Sequence, residues 1–117
     1  VKAGSHCREV ICLNDFMATT ADLLSVELPH DSAEDSTSIL PLITGEVKTL
    51  PDRPMVVNHD YRGNFAIRDG KWKLVGKQLF DLETDLKETT DLSDKHPDIV
   101  EKMAQTLAEY QQSGRSR

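Results

Sequence analysis

Residues 65–75 read FAIRDGKWKLV. Apolar and polar side chains alternate, the pattern breaks at Asp69-Gly70, and the alternation resumes. Alternation with period two marks a strand with one buried face. Asp-Gly between two such runs predicts a hairpin closed by a two-residue type I′ turn, because both turn positions need positive φ. That turn sets a register. Ile67 then faces Trp72, Phe65 faces Leu74, Ala66 faces Lys73 and Arg68 faces Lys71. The first two pairs form an apolar face. The last two form a charged one, expected to be open to water or to an anion, because opposed like charges repel when buried.

The neighbours of the hairpin extend it. Residues 55–58 and 78–82 read as further strands, giving a small antiparallel sheet of about four strands. His96-Pro97-Asp98 starts a helix with Pro97 at its first position, where no N–H is needed. Ile99, Met103, Leu107 and Tyr110 repeat at helical spacing with Val100 beside them, and Gly114 is a natural stop. The fold class is therefore α+β, with the C-terminal helix laid on the apolar face of the sheet.

The first half is less regular. Val10-Ile11-Cys12-Leu13 is an apolar run expected to form a buried strand. Asn14 or Asp15 is expected to cap a helix that places Phe16, Thr20, Leu23 and Leu24 on one face, with Met17 alongside, and that ends before Leu28-Pro29. An acidic polar loop follows. Ser38 to Ile43 reads as one helical turn with Pro41 near its start, stopped by Gly45. TGEVKTLPDRP, residues 44–54, is rich in turn formers. It divides the chain into a segment 1–50 and a subdomain 51–117.

The totals limit function. The chain has 117 residues, 38% hydrophobic and 29% charged, with a formal net charge of −6. A nucleic-acid surface needs a positive footprint, and an anionic membrane attracts basic segments; neither partner is expected. No apolar run is long enough to span a bilayer, and no Asn-x-Ser/Thr sequon occurs. The opening VKAGSHCREV reads as the interior of a longer protein.

Direct chemistry is sparse. Cys7 and Cys12 are the candidate nucleophiles, and neither has an activating context; two separate thiols are expected. Asp81, Glu83 and Asp85 start like a calcium loop, but Leu86 and Leu92 stand where such a loop needs Gly and Glu. His6, His30, His59 and His96 lack metal-ligand spacing. His59 follows the strand MVVN and precedes Asp60, Tyr61 and Arg62, at a strand end where binding groups gather.

The order of segments carries more. AIRDGKWKLV, then LFDLETDLKETTDL, then KHPDIVEKMAQTLAEY resemble the C-terminal subdomain of the sulfatase family. That family shows an Arg-x-Gly-x-Trp-Lys hairpin, a Leu-Tyr-Asp-Leu-x-x-Asp-Pro-x-Glu-x-x-Asn-Leu loop and a Pro-started helix. Arg68, Gly70, Trp72, Lys73, Leu79, Asp81, Leu82, Asp85, Glu88 and Leu92 match. VKAGS resembles the piece after the family's Trp-Pro-Gly. LNDFMATTADLLSVELP resembles its Asp-x-x-Pro-Thr helix, and STSILPLITGE resembles Gly-x-Ser-Leu-x-Pro-Leu-Leu-x-Gly. Phe80 stands for Tyr, Leu86 for Pro, Asp91 for Asn, Ala18 for Pro, and Val26 for the Gly after the helix.

The resemblance implies a parent enzyme that hydrolyses sulfate esters of small molecules or carbohydrates. A formylglycine made from Cys or Ser in Cys/Ser-x-Pro-x-Arg attacks sulfur, and calcium and basic groups stabilise the sulfate oxygens. Neither cysteine here matches that motif, so residues 1–50 are expected to be the end of the larger α/β domain and the fragment to be inactive alone, with no cofactor of its own. Alternatives are a non-catalytic binding module, or a phosphoric or phosphonic ester hydrolase of the same alkaline phosphatase-like superfamily. His59, Arg62 and Asn58 are the substrate-contacting candidates, chosen by strand-end position rather than by motif. Family membership implies a periplasmic or secreted protein, with the cytoplasm left open. An apolar patch on the 16–24 helix is expected to be exposed and to favour self-association.

Overall fold

A computed structural model describes residues 3–116. The elements run α1 (Asp15–Leu23), α2 (Leu40–Thr44), β1 (Val56–His59), β2 (Phe65–Asp69), β3 (Trp72–Val75), β4 (Gln78–Asp81) and α3 (Pro97–Ser113). The fold is α+β, and the chain groups into two units. One runs to Pro54 and takes in the last residues from Arg115; the other is Met55–Gly114.

The second unit is an antiparallel sheet of four strands in the order β1-β2-β3-β4. Its core is Ile67, Leu74, Leu79 and Met103, with Val57, Trp72, Ile99, Val100, Leu107 and Tyr110 packed around them. The apolar stripe of α3 therefore meets the predicted face of the sheet. Pro97 sits in the first turn, and Gly114 takes a left-handed φ of 73° while its N–H bonds the Tyr110 carbonyl.

The hairpin register differs from the expected one by two residues. Ile67 lies opposite Leu74, Arg68 opposite Lys73 and Asp69 opposite Trp72, so the turn is Gly70-Lys71. Only its first position takes positive φ, 53° at Gly70. That pattern fits a type II′ turn, which needs Gly first and accepts an ordinary residue second. The next connection repeats it, with Gly76-Lys77 between Val75 and Gln78 and φ 60° at Gly76. A slip of two residues keeps every side chain on its own face, so the core is unchanged and Asp69 joins the sheet, where its carboxylate meets Lys102 Nζ at 3.0 Å.

The second face is less wet than expected. Phe80 lies opposite Lys73 and is only 6% exposed. Lys73 is paired with Glu88, so Arg68 and Lys73 sit side by side with one charge already matched.

The segment after β4 is fastened by its own aspartates. The Asp91 carboxylate accepts the Leu79 N–H at 3.1 Å and the Ser93 N–H at 2.9 Å, while the Leu92 N–H donates to the Leu79 carbonyl at 2.8 Å. These bonds occupy the outer edge of β4, which would otherwise stay open. Position 91 is used as an acceptor of N–H groups, which an Asn carbonyl also supplies; the departure from the family pattern costs these bonds nothing. Lys71 donates to Asp81 at 2.7 Å, and Asp85 accepts the N–H groups of Thr89 and Thr90.

These bonds hold three carboxyls below the ordinary aspartate value of 3.8: Asp81 through Lys71, Asp85 chiefly through the Thr90 N–H, and Asp91 chiefly through the Ser93 N–H. A depressed folded-state pKa contributes stability that is fully present above the unfolded value and is lost as pH falls through the folded one. The loop is therefore expected to hold from neutrality to about pH 4 and to loosen below it. Amide protection factors at Leu79, Thr90 and Ser93 should fall there relative to Leu74; undiminished protection at pH 2 would refute this.

The first unit is built around α1, whose burial is inverted. Asp15, Thr19 and Ala21 are buried, whereas Phe16, Met17, Leu23 and Leu24 are between 52% and 66% exposed. The helical face was legible; its outward direction follows from what anchors the other side. Asp15 accepts N–H groups from Cys12 at 2.6 Å and Thr37 at 3.1 Å, and it meets Arg53 Nη2 at 2.7 Å. The Thr19 hydroxyl donates to the Asp15 carbonyl and accepts the Ile39 N–H. Asp15 and Thr19 are the two residues that carry the Asp-x-x-Pro-Thr resemblance.

Two local expectations fail here. Neither Asn14 nor Asp15 caps the helix as an N-cap side chain. The Ser36 hydroxyl instead donates to the Asn14 carbonyl at 2.6 Å and accepts the Ala18 N–H at 2.8 Å. Residues 10–13 form no strand, and Ile11 and Leu13 are 51% and 83% exposed. A strand needs a partner for its backbone groups, and none of the four strands pairs with this run.

The end of α1 moves one family assignment. The Val26 N–H bonds the Ala21 carbonyl at 2.8 Å and the Ser25 N–H bonds the Asp22 carbonyl at 3.0 Å, which is a Schellman motif. Its left-handed residue is Ser25, at φ 53°, so Ser25 rather than Val26 stands where Gly belongs. Ser25→Gly is expected to stabilise this unit by roughly 0.5–1 kcal/mol, the left-handed penalty less the added freedom of the unfolded chain. Val26→Gly should give no gain. Urea midpoints of the two variants separate these outcomes.

Candidate functional site

β1 ends at His59 and β2 begins at Phe65. The connection is closed by the Asp60 N–H to the Asn64 carbonyl at 3.1 Å and the Gly63 N–H to the Asp60 carbonyl at 3.0 Å. Tyr61, Arg62 and Gly63 thus make a three-residue hairpin loop, built on a turn with Asp60 at its first position and Gly63 at its fourth, the residue types such turns prefer. The Asp60 carboxylate accepts the N–H groups of Arg62 at 2.8 Å and Asn64 at 2.9 Å, and Asn64 Nδ2 at 2.8 Å. These bonds, the Asn64 side chain foremost, hold the Asp60 carboxyl below its ordinary value. Asp60 is thus the brace of the loop.

The braced tip presents His59, Tyr61 and Arg62. His59 Nδ1 lies 2.9 Å from the Asp60 carbonyl oxygen. A carbonyl only accepts, so Nδ1 carries the hydrogen and Nε2 is left to accept when neutral or donate when charged. The His59 ring meets Phe65 edge-on at 6.0 Å. Arg62 Nε donates to the Tyr61 hydroxyl at 2.7 Å, and its guanidinium carbon lies 5.1 Å from the Tyr61 ring centroid. Arg62 is thereby held with its terminal nitrogens as a fork for an oxyanion.

Of the three candidates, His59 and Arg62 share this tip. Asn58 does not join them. It pairs with Ala66, one position before His59, and strand alternation sends it to the other face. Tyr61, 88% exposed, is the residue that strand-end reasoning passed over. The signal was its place beside Arg62 in a turn bounded by Asp60 and Asn64.

The tip can bind an anion, but it holds no activated nucleophile. Cys7 is exposed and Cys12 partly buried, both as free thiols, and neither starts a Cys-x-Pro-x-Arg sequence. Asp81, Asp85 and Asp91 spend oxygens on N–H groups and Lys71, and no cluster of three or more His, Cys, Asp or Glu able to hold a metal occurs among the described residues. The described residues do not fit a formylglycine or a calcium ion.

Compared with known proteins, the chain matches no family profile, but individual relatives are clear. The N-acetylgalactosamine-6-O-sulfatase of Bacteroides thetaiotaomicron is 27% identical over 113 residues, 80% of this chain and 22% of that protein. The choline-sulfatase of Rhizobium meliloti is 36% identical over 87 residues, 68% of this chain and 17% of that protein. Human arylsulfatase K is 27% identical over 125 residues, 92% of this chain and 23% of that protein. A solved structure from glycosaminoglycan metabolism in Bacteroides thetaiotaomicron superimposes with a TM-score of 0.71 at 27% identity, over 81% of this chain and 24% of that one.

What the chain resembles is a segment of the sulfatases.

It spans between 17% and 23% of the length of these curated sulfatases. A further structure, described as a complex with its substrate D-glucosamine-2-N,6-O-disulfate, shares the fold at 23% identity and a TM-score of 0.64. Within the segment that resembles sulfatases, the matched residues of β4 and the loop after it have physical tasks. Leu79 is in the core, Asp81 binds Lys71, and Glu88 binds Lys73.

Proposed function

We propose that this chain is the C-terminal part of a sulfatase that hydrolyses sulfate esters, that it is inactive by itself, and that its β1–β2 tip contacts a sulfated small molecule or carbohydrate. The reading rests on one observation above all. The chain superimposes over 81% of its length on a sulfatase structure of which it covers only 24%, and its own residues fit neither the nucleophile nor the metal. Both would come from the remainder of the parent polypeptide.

At the tip, the Arg62 fork suits a sulfate oxygen pair and His59 Nε2 suits a sugar hydroxyl or sulfate oxygen. Tyr61 offers a ring face beside them. The Asp60 brace keeps these groups in place before substrate arrives, which lowers the cost of ordering them. The parent is proposed to be periplasmic or secreted, as its resemblance implies. No helix among the described residues is long and apolar enough to cross a membrane.

The test compares the 117-residue chain with the longer polypeptide that contains it. The longer form is expected to hydrolyse 4-nitrophenyl sulfate and the short chain to give no turnover; turnover by the purified short chain overturns the proposal. In the longer form, Arg62→Ala is expected to raise KM for a sulfated sugar about tenfold or more with kcat little changed, the loss of a charge-assisted hydrogen bond. An unchanged KM would remove Arg62 from the site.

A further inference from the structure

The residues from Arg115 onward belong to the first unit. Gln111 to Gly114 are exposed, whereas Arg115 and Ser116 are half-buried. Arg115 Nη2 donates to the His30 carbonyl at 3.1 Å, and its Nη1 lies 3.4 Å from His30 Nδ1. The Ser116 N–H donates to the Asp35 carboxylate at 2.8 Å. Two consecutive residues thus fasten the loop 29–36 near both of its ends.

That loop has reason to be fastened. It is made of two turns, closed by the Ser32 N–H on the Pro29 carbonyl and the Ser36 N–H on the Ala33 carbonyl. Ala33 sits at a left-handed φ of 54°, a conformation that costs a residue with a Cβ energy. The loop also supports α1. The Asp35 carbonyl accepts Asn14 Nδ2 at 2.9 Å, and Ser36 supplies the hydroxyl that completes the first turn of α1. Ala33 and Asp35 further line an open groove with Leu13 and Met17. Freeing the loop therefore loosens the start of α1 and one wall of that groove.

The chemistry of the His30 contact makes it conditional. Arginine has donors and no acceptor, so His30 Nδ1 accepts and the ring hydrogen sits on Nε2. An imidazolium carries hydrogens on both nitrogens; it loses that acceptor and sets one cation against another. The charged groups on the two segments that meet here are Arg115 on one and Asp31, Glu34 and Asp35 on the other. Between about pH 8 and about pH 5 histidine is the side chain that ordinarily changes charge, and carboxylates do not.

We infer that Arg115 and Ser116 form a strap on the loop 29–36 whose Arg115 half is released when His30 takes up a proton, with Ser116 on Asp35 left as the hinge. The strap is closed on the alkaline side and open on the acid side. Opening it relaxes the cap that Ser36 places on α1.

Solution NMR of the 117-residue chain tests this. From about pH 8 to about pH 5 the Arg115 Nε–H peak should move with the same midpoint as the His30 ring protons. The protection factor of the Ala18 amide should fall about fivefold, the worth of one hydrogen bond, while the Ile39 amide keeps its own. His30→Gln supplies a carbonyl acceptor that takes no proton, so there the Arg115 peak should stay in place and Ala18 protection should not change with pH. Arg115→Ala should show the lowered Ala18 protection at both pH values. An Arg115 peak that follows the carboxylates, or a pH response that survives His30→Gln, overturns the inference. Equal loss at Ile39 also overturns it, because the first unit would then loosen as a whole. Movement at Arg115 with Ala18 protection unchanged overturns the link to α1.

Discussion

Asp15→Ala is expected to destabilise the first unit by about 3–5 kcal/mol, the cost of removing one partner of a buried ion pair. Asp15 is fully buried and Arg53 nearly so, at 0% and 7% side-chain exposure. The carboxylate receives Arg53 and the Cys12 and Thr37 N–H groups. Alanine leaves all three donors without an acceptor. Arg53 is already under-satisfied, since its Nε and Nη1 are buried without a hydrogen-bond partner among the described residues. The double variant Asp15→Ala/Arg53→Met removes both charges and is expected to recover at least about 1 kcal/mol relative to Asp15→Ala. Protection of the Thr37 and Ile39 amides reads the effect, with the Leu74 amide as internal reference. A loss under about 1 kcal/mol would show that the pair is not what holds α1 to residues 36–39.

Met103→Ala is expected to cost the second unit about 2–5 kcal/mol. Met103 is the α3 residue that enters the cluster of Ile67, Leu74 and Leu79. That cluster is small, and so is the unit that surrounds it, so little margin remains to absorb a cavity. Met103→Leu, close in volume, should cost less than about 1.5 kcal/mol. Trp72 packs against the same cluster, so its fluorescence reports the transition in urea. Equal midpoints for the Ala and Leu variants would mean that α3 is not seated as described.

The sequence of the second unit is nearly self-explanatory because its codes are local. Pro97 and Gly114 bracket α3, and period-two alternation names the face that receives it. The register escaped because Gly70 serves a turn at Asp69-Gly70 or at Gly70-Lys71, and a shift of two leaves the hydrophobic pattern identical. Pattern alone has no term that separates them. In the first unit, periodicity grouped Phe16 with Leu24 and the resemblance implied that this face is exposed, as it is, but neither pointed to Asp15 as the anchor of the opposite face. Asp15 finds its partners at residues 37 and 53, beyond any local window. Residues 10–13 carry strand composition without strand partners. At the β1–β2 connection, strand-end position pointed to His59 and Arg62, which the turn places on one tip. Alternation along β1 separates Asn58 from His59.

The Ser36 hydroxyl seated between the Asn14 carbonyl and the Ala18 amide bears on the order of folding. The first turn of α1 is completed by a group 18 residues away along the chain, and Thr19 waits for Ile39 in the same manner. A helix of nine residues is too short to persist in isolation. Its nucleation is therefore tied to closing the loop that returns residue 36, and the entropy of that closure precedes the reward. On a ribosome, α1 would stay unformed until Ser36 has cleared the exit tunnel, and the segment would then appear in one step with its loop.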